Sequence, residues 1–167
     1  MTNPQAVYQN FIEFEERAAS IYFVMASRFS PQNPELSALW LDMGIQEKQH
    51  SGLLQFCVME GLFADREPRE EQVRKLETEF ASLEKRAADP DLTIPSAFEI
   101  AIAMELSEVN DIYTLLTTPL HRSMYLLRRK TTASMPDHLE RLLQEARNYG
   151  VKEGALKNLE RATTQDR

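Results

Sequence analysis

Apolar residues return every three or four positions along most of this chain, a spacing that predicts helices with few interruptions. Thr2 or Asn3 before Pro4 marks a helix start, and no breaker follows until about Phe29. The inward stripe of this first helix is Tyr8, Phe11 or Ile12, Glu15, Ala18 or Ala19, Tyr22 and Met25. Glu13, Glu16 and Arg17 fall off the stripe and read as solvent charge. Ser30-Pro31-Gln32-Asn33-Pro34 is a turn short enough to force an antiparallel neighbour. The second helix is expected from about Pro34 to Gly61, with Leu36, Trp40, Met43, Glu47, His50, Leu54 and Cys57 on its buried line.

From Leu62 to about Leu92 the composition turns to Arg, Glu, Lys and Asp. Val73, Leu76, Phe80 and Leu83 keep a thin helical period there, which predicts a short amphipathic helix near 68–87 within a long crossover. Such a crossover lets the helices on either side of it run parallel. The third helix is expected from Thr93-Ile94-Pro95-Ser96 to just before Pro119, with Phe98, Ile102, Glu105, Glu108 or Val109, Ile112 and Leu116 inward. Leu120 to Tyr149 fits a fourth helix through Met124, Leu127, Met135, His138, Leu142 and Ala146. Pro136 either kinks it or starts a new one. Gly150 caps it, and 151–167 reads as a polar tail with at most one loosely docked helical segment.

With 167 residues and only five glycines, the chain is expected to be a single all-α domain, a four-helix bundle over 1–150 with its crossover at 62–92. The formal charge of −7 argues against a nucleic-acid partner, because phosphate binding needs a basic surface. A single cysteine, Cys57, cannot form an internal disulfide or a Cys-x-x-Cys metal knot. Met1-Thr2-Asn3-Pro4 has neither a basic start nor an apolar run, and no stretch reaches membrane-spanning length, so a cytoplasmic protein is expected.

The candidate chemistry lies where charge interrupts the apolar stripes. A carboxylate is costly to bury unless something pairs with it. Glu15 lies 16 residues before Pro31 and Glu47 lies 16 after it, so an antiparallel pair sets them at matching heights. His50, three residues after Glu47, shares its face. A Glu-x-x-His is weak evidence alone, and a lone histidine on an apolar face is more often a satisfied core residue. The matching height of Glu15 shifts the balance toward a metal site. Glu105 and Glu108 also share a face, with Tyr113 following; the plainer reading has one of them at the rim, paired with Arg128 or Arg129. A second Glu-x-x-His is missing, since Met135 stands three residues before His138.

With these residues in view, the chain resembles the rubrerythrin branch of the ferritin-like di-iron carboxylate superfamily. Glu15-Glu16-Arg17-Ala18-Ala19-Ser20-Ile21-Tyr22 is similar to that family's Glu followed seven residues later by Tyr. Gln46-Glu47-Lys48-Gln49-His50 resembles its Glu-x-x-His segment, and Ala101-Ile102-Ala103-Met104-Glu105 with Glu108 and Tyr113 its third helix. The resemblance implies a ferritin-like bundle with Glu15, Glu47, His50, Glu105 and Glu108 as the catalytic iron ligands and Tyr22 and Tyr113 behind them; His138 is a further metal candidate, level with the others only if the last turn lies a few residues after Pro119. It implies two iron ions per chain acting on hydrogen peroxide or dioxygen. Many relatives carry a rubredoxin module with paired cysteines; one cysteine offers no such pair, so an external electron donor such as a rubredoxin-type protein is expected. A homodimer is expected as the commonest assembly. The same centre could serve iron storage or delivery. The missing last glutamate leaves, as a further alternative, a degenerate site in a structural or interaction protein.

Overall fold

The computed structural model of the protein describes residues 3–123 and 135–165, without the side chains of 108–110, 119–123, 135–138 and 162–165. Its secondary structure there is entirely helical: α1 (Pro4–Phe29), α2 (Pro34–Glu60), α3 (Glu70–Ala87), α4 (Ile94–Glu105), α5 (Glu108–Ser123), α6 (Met135–Asn148) and α7 (Glu153–Gln165). α1, α2 and α4 each start with a side chain that accepts from a free amide and a proline in the first turn. The Asn3 carboxamide accepts from the Gln5 amide and that of Asn33 from the Leu36 amide, each followed by a proline. Gly61, at φ 66°, ends α2 in the left-handed conformation that glycine adopts without a Cβ penalty.

Contacts fix the helix directions. Ser37 Oγ donates to the Ala26 carbonyl at 2.8 Å, and Lys48 pairs with Glu16, so α1 and α2 form an antiparallel hairpin. At its closest approach Gly44 lies under the Phe23 ring and beside the Ala19 carbonyl, where a Cβ would come within 2.5 Å of the ring. Trp40 meets Phe98 and His50 meets Tyr113, which makes α4 and α5 parallel to α2, the outcome the crossover was expected to permit. Asn33 meets Tyr149 and Asp42 meets Arg141, so α6 runs antiparallel to α2. The core is aromatic and aliphatic, with Tyr8, Phe11, Phe14, Tyr22, Trp40, Phe80 and Phe98 all buried between these helices.

Several expectations need correction. The expected third helix is two helices, broken at Leu106–Ser107: the Ser107 hydroxyl and amide both bond back to the Met104 carbonyl, and Ser107 then stands at the start of α5. α5 continues past Pro119 rather than ending before it. The crossover helix α3 belongs to the core, with Leu76, Phe80 and Leu83 buried against α1. Arg17 is not solvent charge: it chelates Glu84 and reaches Glu77, and its guanidinium lies 5.5 Å from the Phe14 ring and 5.4 Å from the Phe80 ring. Glu16 likewise bridges Lys48 and Ser51 of α2. The expected polar tail carries α7, which buries Leu159 completely and ties to α6 through Arg147–Glu160. Pro136 lies in the first turn of α6, as in a newly started helix; residues 124–134 lie outside the described residues. No described helix is long and apolar enough to cross a membrane.

Candidate metal centre

Glu15 reaches the core because α1 presents it one turn from Phe11 and Ala19, on the same face. α2 brings Glu47 and His50 to the same height, with apolar Met43 and Leu54 above and below them. Glu15 is 1% exposed, Glu47 6% and His50 8%. Each offers a ligating atom within 4.8 Å of the others. The Nδ1 edge of His50 is turned into the cluster, 3.0 Å from Glu47 Oε2 and 3.6 Å from Glu15 Oε2. Above this, the Tyr113 ring covers the imidazole at 4.3 Å between centroids and closes the site on the α5 side.

The hydrogen bonding is incomplete in an informative way. Neither carboxylate oxygen of Glu15 has a hydrogen-bond partner, and the buried hydroxyl of Tyr113 has none either. Buried polar atoms are paired in the great majority of cases, so a wholly unsatisfied carboxylate calls for a missing partner. Burial raises the Glu47 carboxyl above the ordinary carboxylate range, with the Glu15 charge adding to the effect and His50 opposing it. Burial works against a charged His50, but the two carboxylates outweigh it and hold the imidazole protonated well above its ordinary range. Two carboxylates and one imidazole, dry and converging, form a donor set suited to a divalent transition ion. A cation would satisfy the orphaned oxygens of Glu15 and displace the proton held on His50.

The remaining expected ligands stand differently. Glu105, at the end of α4, is partly buried, and its Oε1 accepts the Tyr22 hydroxyl at 2.7 Å. It does not join the cluster of Glu15, Glu47 and His50, and instead accepts from Tyr22. Tyr22 therefore stands between the halves of the expected set: its hydroxyl is raised well above its ordinary range by burial and by the nearby charges of Glu105 and Glu47. The side chains of Glu108, Met135 and His138 lie outside the described residues. Reading the sequence alone missed the Glu16–Lys48–Ser51 link beside the site, which locks the register of α1 on α2. The signal was there as opposite charges at Glu16 and Lys48, one position along from the Glu15–Glu47 pair.

Comparison with protein-family models, with curated proteins and with solved structures found no match to this chain.

Proposed function

We propose that this protein binds transition-metal ions at a carboxylate and histidine centre inside a ferritin-like bundle, and that it is a di-iron protein of rubrerythrin-like redox type. The observation that carries the reading is Glu15: fully buried, with no donor on either oxygen, and within reach of Glu47 and His50. The helix directions support the bundle, since α2 and α4–α5 run parallel while α1 and α6 oppose them, the arrangement that one long crossover produces.

Glu15, Glu47 and His50 would hold the first ion, with Glu105 and Glu108 the candidates for a second. Bound iron would supply one-electron exchange with peroxide or dioxygen. The chain's own residues do the rest. Phe11, Met43, Leu54 and Tyr113 line the surroundings and exclude water, which strengthens every charge interaction inside. Glu47 and His50 share a proton at Nδ1, which must leave when a cation enters. Tyr22 keeps Glu105 oriented through its hydroxyl. Anaerobic titration with ferrous iron tests the proposal: at least one ion per chain should bind, Glu15→Ala should abolish that binding, and peroxide should oxidise the bound iron. Binding below one ion per chain, or no oxidation on adding peroxide, overturns it.

A second reading rests on the same 3.0 Å contact. A protonated His50 between two carboxylates is itself a compensated cluster, and would make the site a structural ion pair left from a metal centre. Under it, added metal leaves the thermal unfolding temperature unchanged.

A further inference from the structure

Five aromatic and polar side chains form a continuous line from Glu105 to the turn end of the molecule. The Tyr22 hydroxyl donates to Glu105 Oε1 at 2.7 Å. The Tyr22 ring stacks on Trp40 with 6.1 Å between centroids and 17° between planes. Trp40 meets Phe98 at 4.8 Å, and Phe98 stacks on Tyr149 at 5.5 Å and 24°. Tyr149 is only partly buried, and its hydroxyl accepts from Asn33 Nδ2 at 2.9 Å, beside the α1–α2 turn. The metal candidates lie far from this end: 14 residues of helix separate Glu15 from Phe29, where α1 ends, about 21 Å at 1.5 Å per residue.

We propose that Tyr22, Trp40 and Tyr149, with Phe98 as the bridge, relay single electrons from a surface donor at the Asn33–Tyr149 end to the buried carboxylate centre. The inference rests on the redox reading above for its purpose, although the relay itself is a property of the apoprotein. Indole and phenol are the most readily oxidised ring side chains, and a distance too long for one transfer is divided here into short ones. Each transfer is balanced. Tyr22 would give one electron toward the centre and its proton to the Glu105 carboxylate. Trp40 then refills Tyr22, and the proton returns from Glu105. Tyr149 refills Trp40 and releases its own proton toward solvent until a one-electron donor protein restores it. Two such passages supply the two electrons that reduce one peroxide.

The otherwise unexplained feature of Trp40 fits this use. Its Nε1 is buried and has no hydrogen-bond partner, so no base is present to take the proton of the oxidised indole. An indole cation that keeps its proton is refilled readily and does not become a trap. Packing alone would favour these rings as well, but would not favour an indole nitrogen left without an acceptor in a fully dry core.

Metal-free protein settles the question. Flash-generated tris(bipyridyl)ruthenium(III) serves as the oxidant. Trp40 is the chain's one tryptophan, so the transient indole radical reports on it alone. The radical should form in the parent and be lost in Tyr149→Phe, which keeps the ring stack but cannot be oxidised. Trp40→Phe should remove the radical at Tyr22 while leaving that at Tyr149. An indole radical that forms equally in Tyr149→Phe, or never forms in the parent, overturns the relay. Circular dichroism confirms that each variant is folded, and Tyr149→Phe decides the matter even if Trp40→Phe does not fold. Ferrous stoichiometry of the same proteins reports separately on the metal reading: failure to bind iron with an intact relay removes only the proposed purpose.

Discussion

At Glu15 two carboxylate oxygens are held away from water with no donor on either, and each unsatisfied buried polar group costs about 1–3 kcal/mol or more. Glu15→Gln should remove the response of the protein to metal in urea unfolding and, by taking away one of the two carboxylates that face His50, narrow the pH range over which that imidazole keeps its proton. A residue kept for packing alone would change neither. The neighbours set a pH dependence. Glu47 and His50 both bind protons more tightly folded than unfolded, Glu47 because burial disfavours its charge and His50 because two carboxylates face it. The favourable His50 contribution is fully present below its unfolded value of 6.5 and is lost as pH rises through its raised folded value. The Glu47 burial penalty is absent below 4.5 and grows above it. Metal-free protein in chelator should thus lose unfolding temperature as pH rises from about 4.5 through neutrality; a flat or rising profile would contradict the assignment. At this scale the sequence was legible for Glu15, Glu47 and His50, because stripe and register alone determine where they point. It was less legible for Glu105, whose inward position was expected but whose hydrogen bond to Tyr22 no periodicity announces.

Among the elements, the α1–α2 hairpin carries the site, and its closeness depends on Gly44. A side chain there would push into the Phe23 ring and toward the Ala19 carbonyl, whose backbone cannot yield as a ring can. Gly44→Val should cost about 1–3 kcal/mol and, by spreading the helices, weaken metal binding that is measured one turn away. Arg17 plays the corresponding part for α3. Its side chain is 19% exposed, and its two carboxylate partners are more open at 41% and 57%, so solvent screening reduces the value of each pair. Arg17→Ala should still cost about 1 kcal/mol, mainly through lost packing on Phe14 and Phe80, and should speed amide exchange across Glu70–Ala87. The ends of α1, α2 and α3 were legible within a residue or two because prolines, Asn3, Asn33 and Gly61 mark them. The depth of α3 was not, since a thin apolar stripe in a charged segment does not reveal that Phe14 and Arg17 wait to receive it.

For the whole molecule, ligand binding and unfolding are linked, and a cation that binds only the folded chain adds about 2.7 kcal/mol at a hundredfold excess over its Kd. Adding ferrous or manganous ion should raise the unfolding temperature, chelator should reverse this, and Glu15→Ala should abolish it. The helical class followed from composition and period, and the parallel course of α2 and α4–α5 followed from the crossover's length. The docking of α7 did not, because Val151, Ala155, Leu156 and Leu159 make only a thin stripe in a polar run and its burial is decided by the helices it meets. The break at Leu106–Ser107 has a consequence for the region between Glu105 and α5. There α4 ends and α5 begins, so the backbone sets the negative pole of α4 beside Glu105. Glu105, which the linear pattern does not set apart, thus sits at the unfavourable pole of its own helix, where an arriving cation rather than an anion would be drawn.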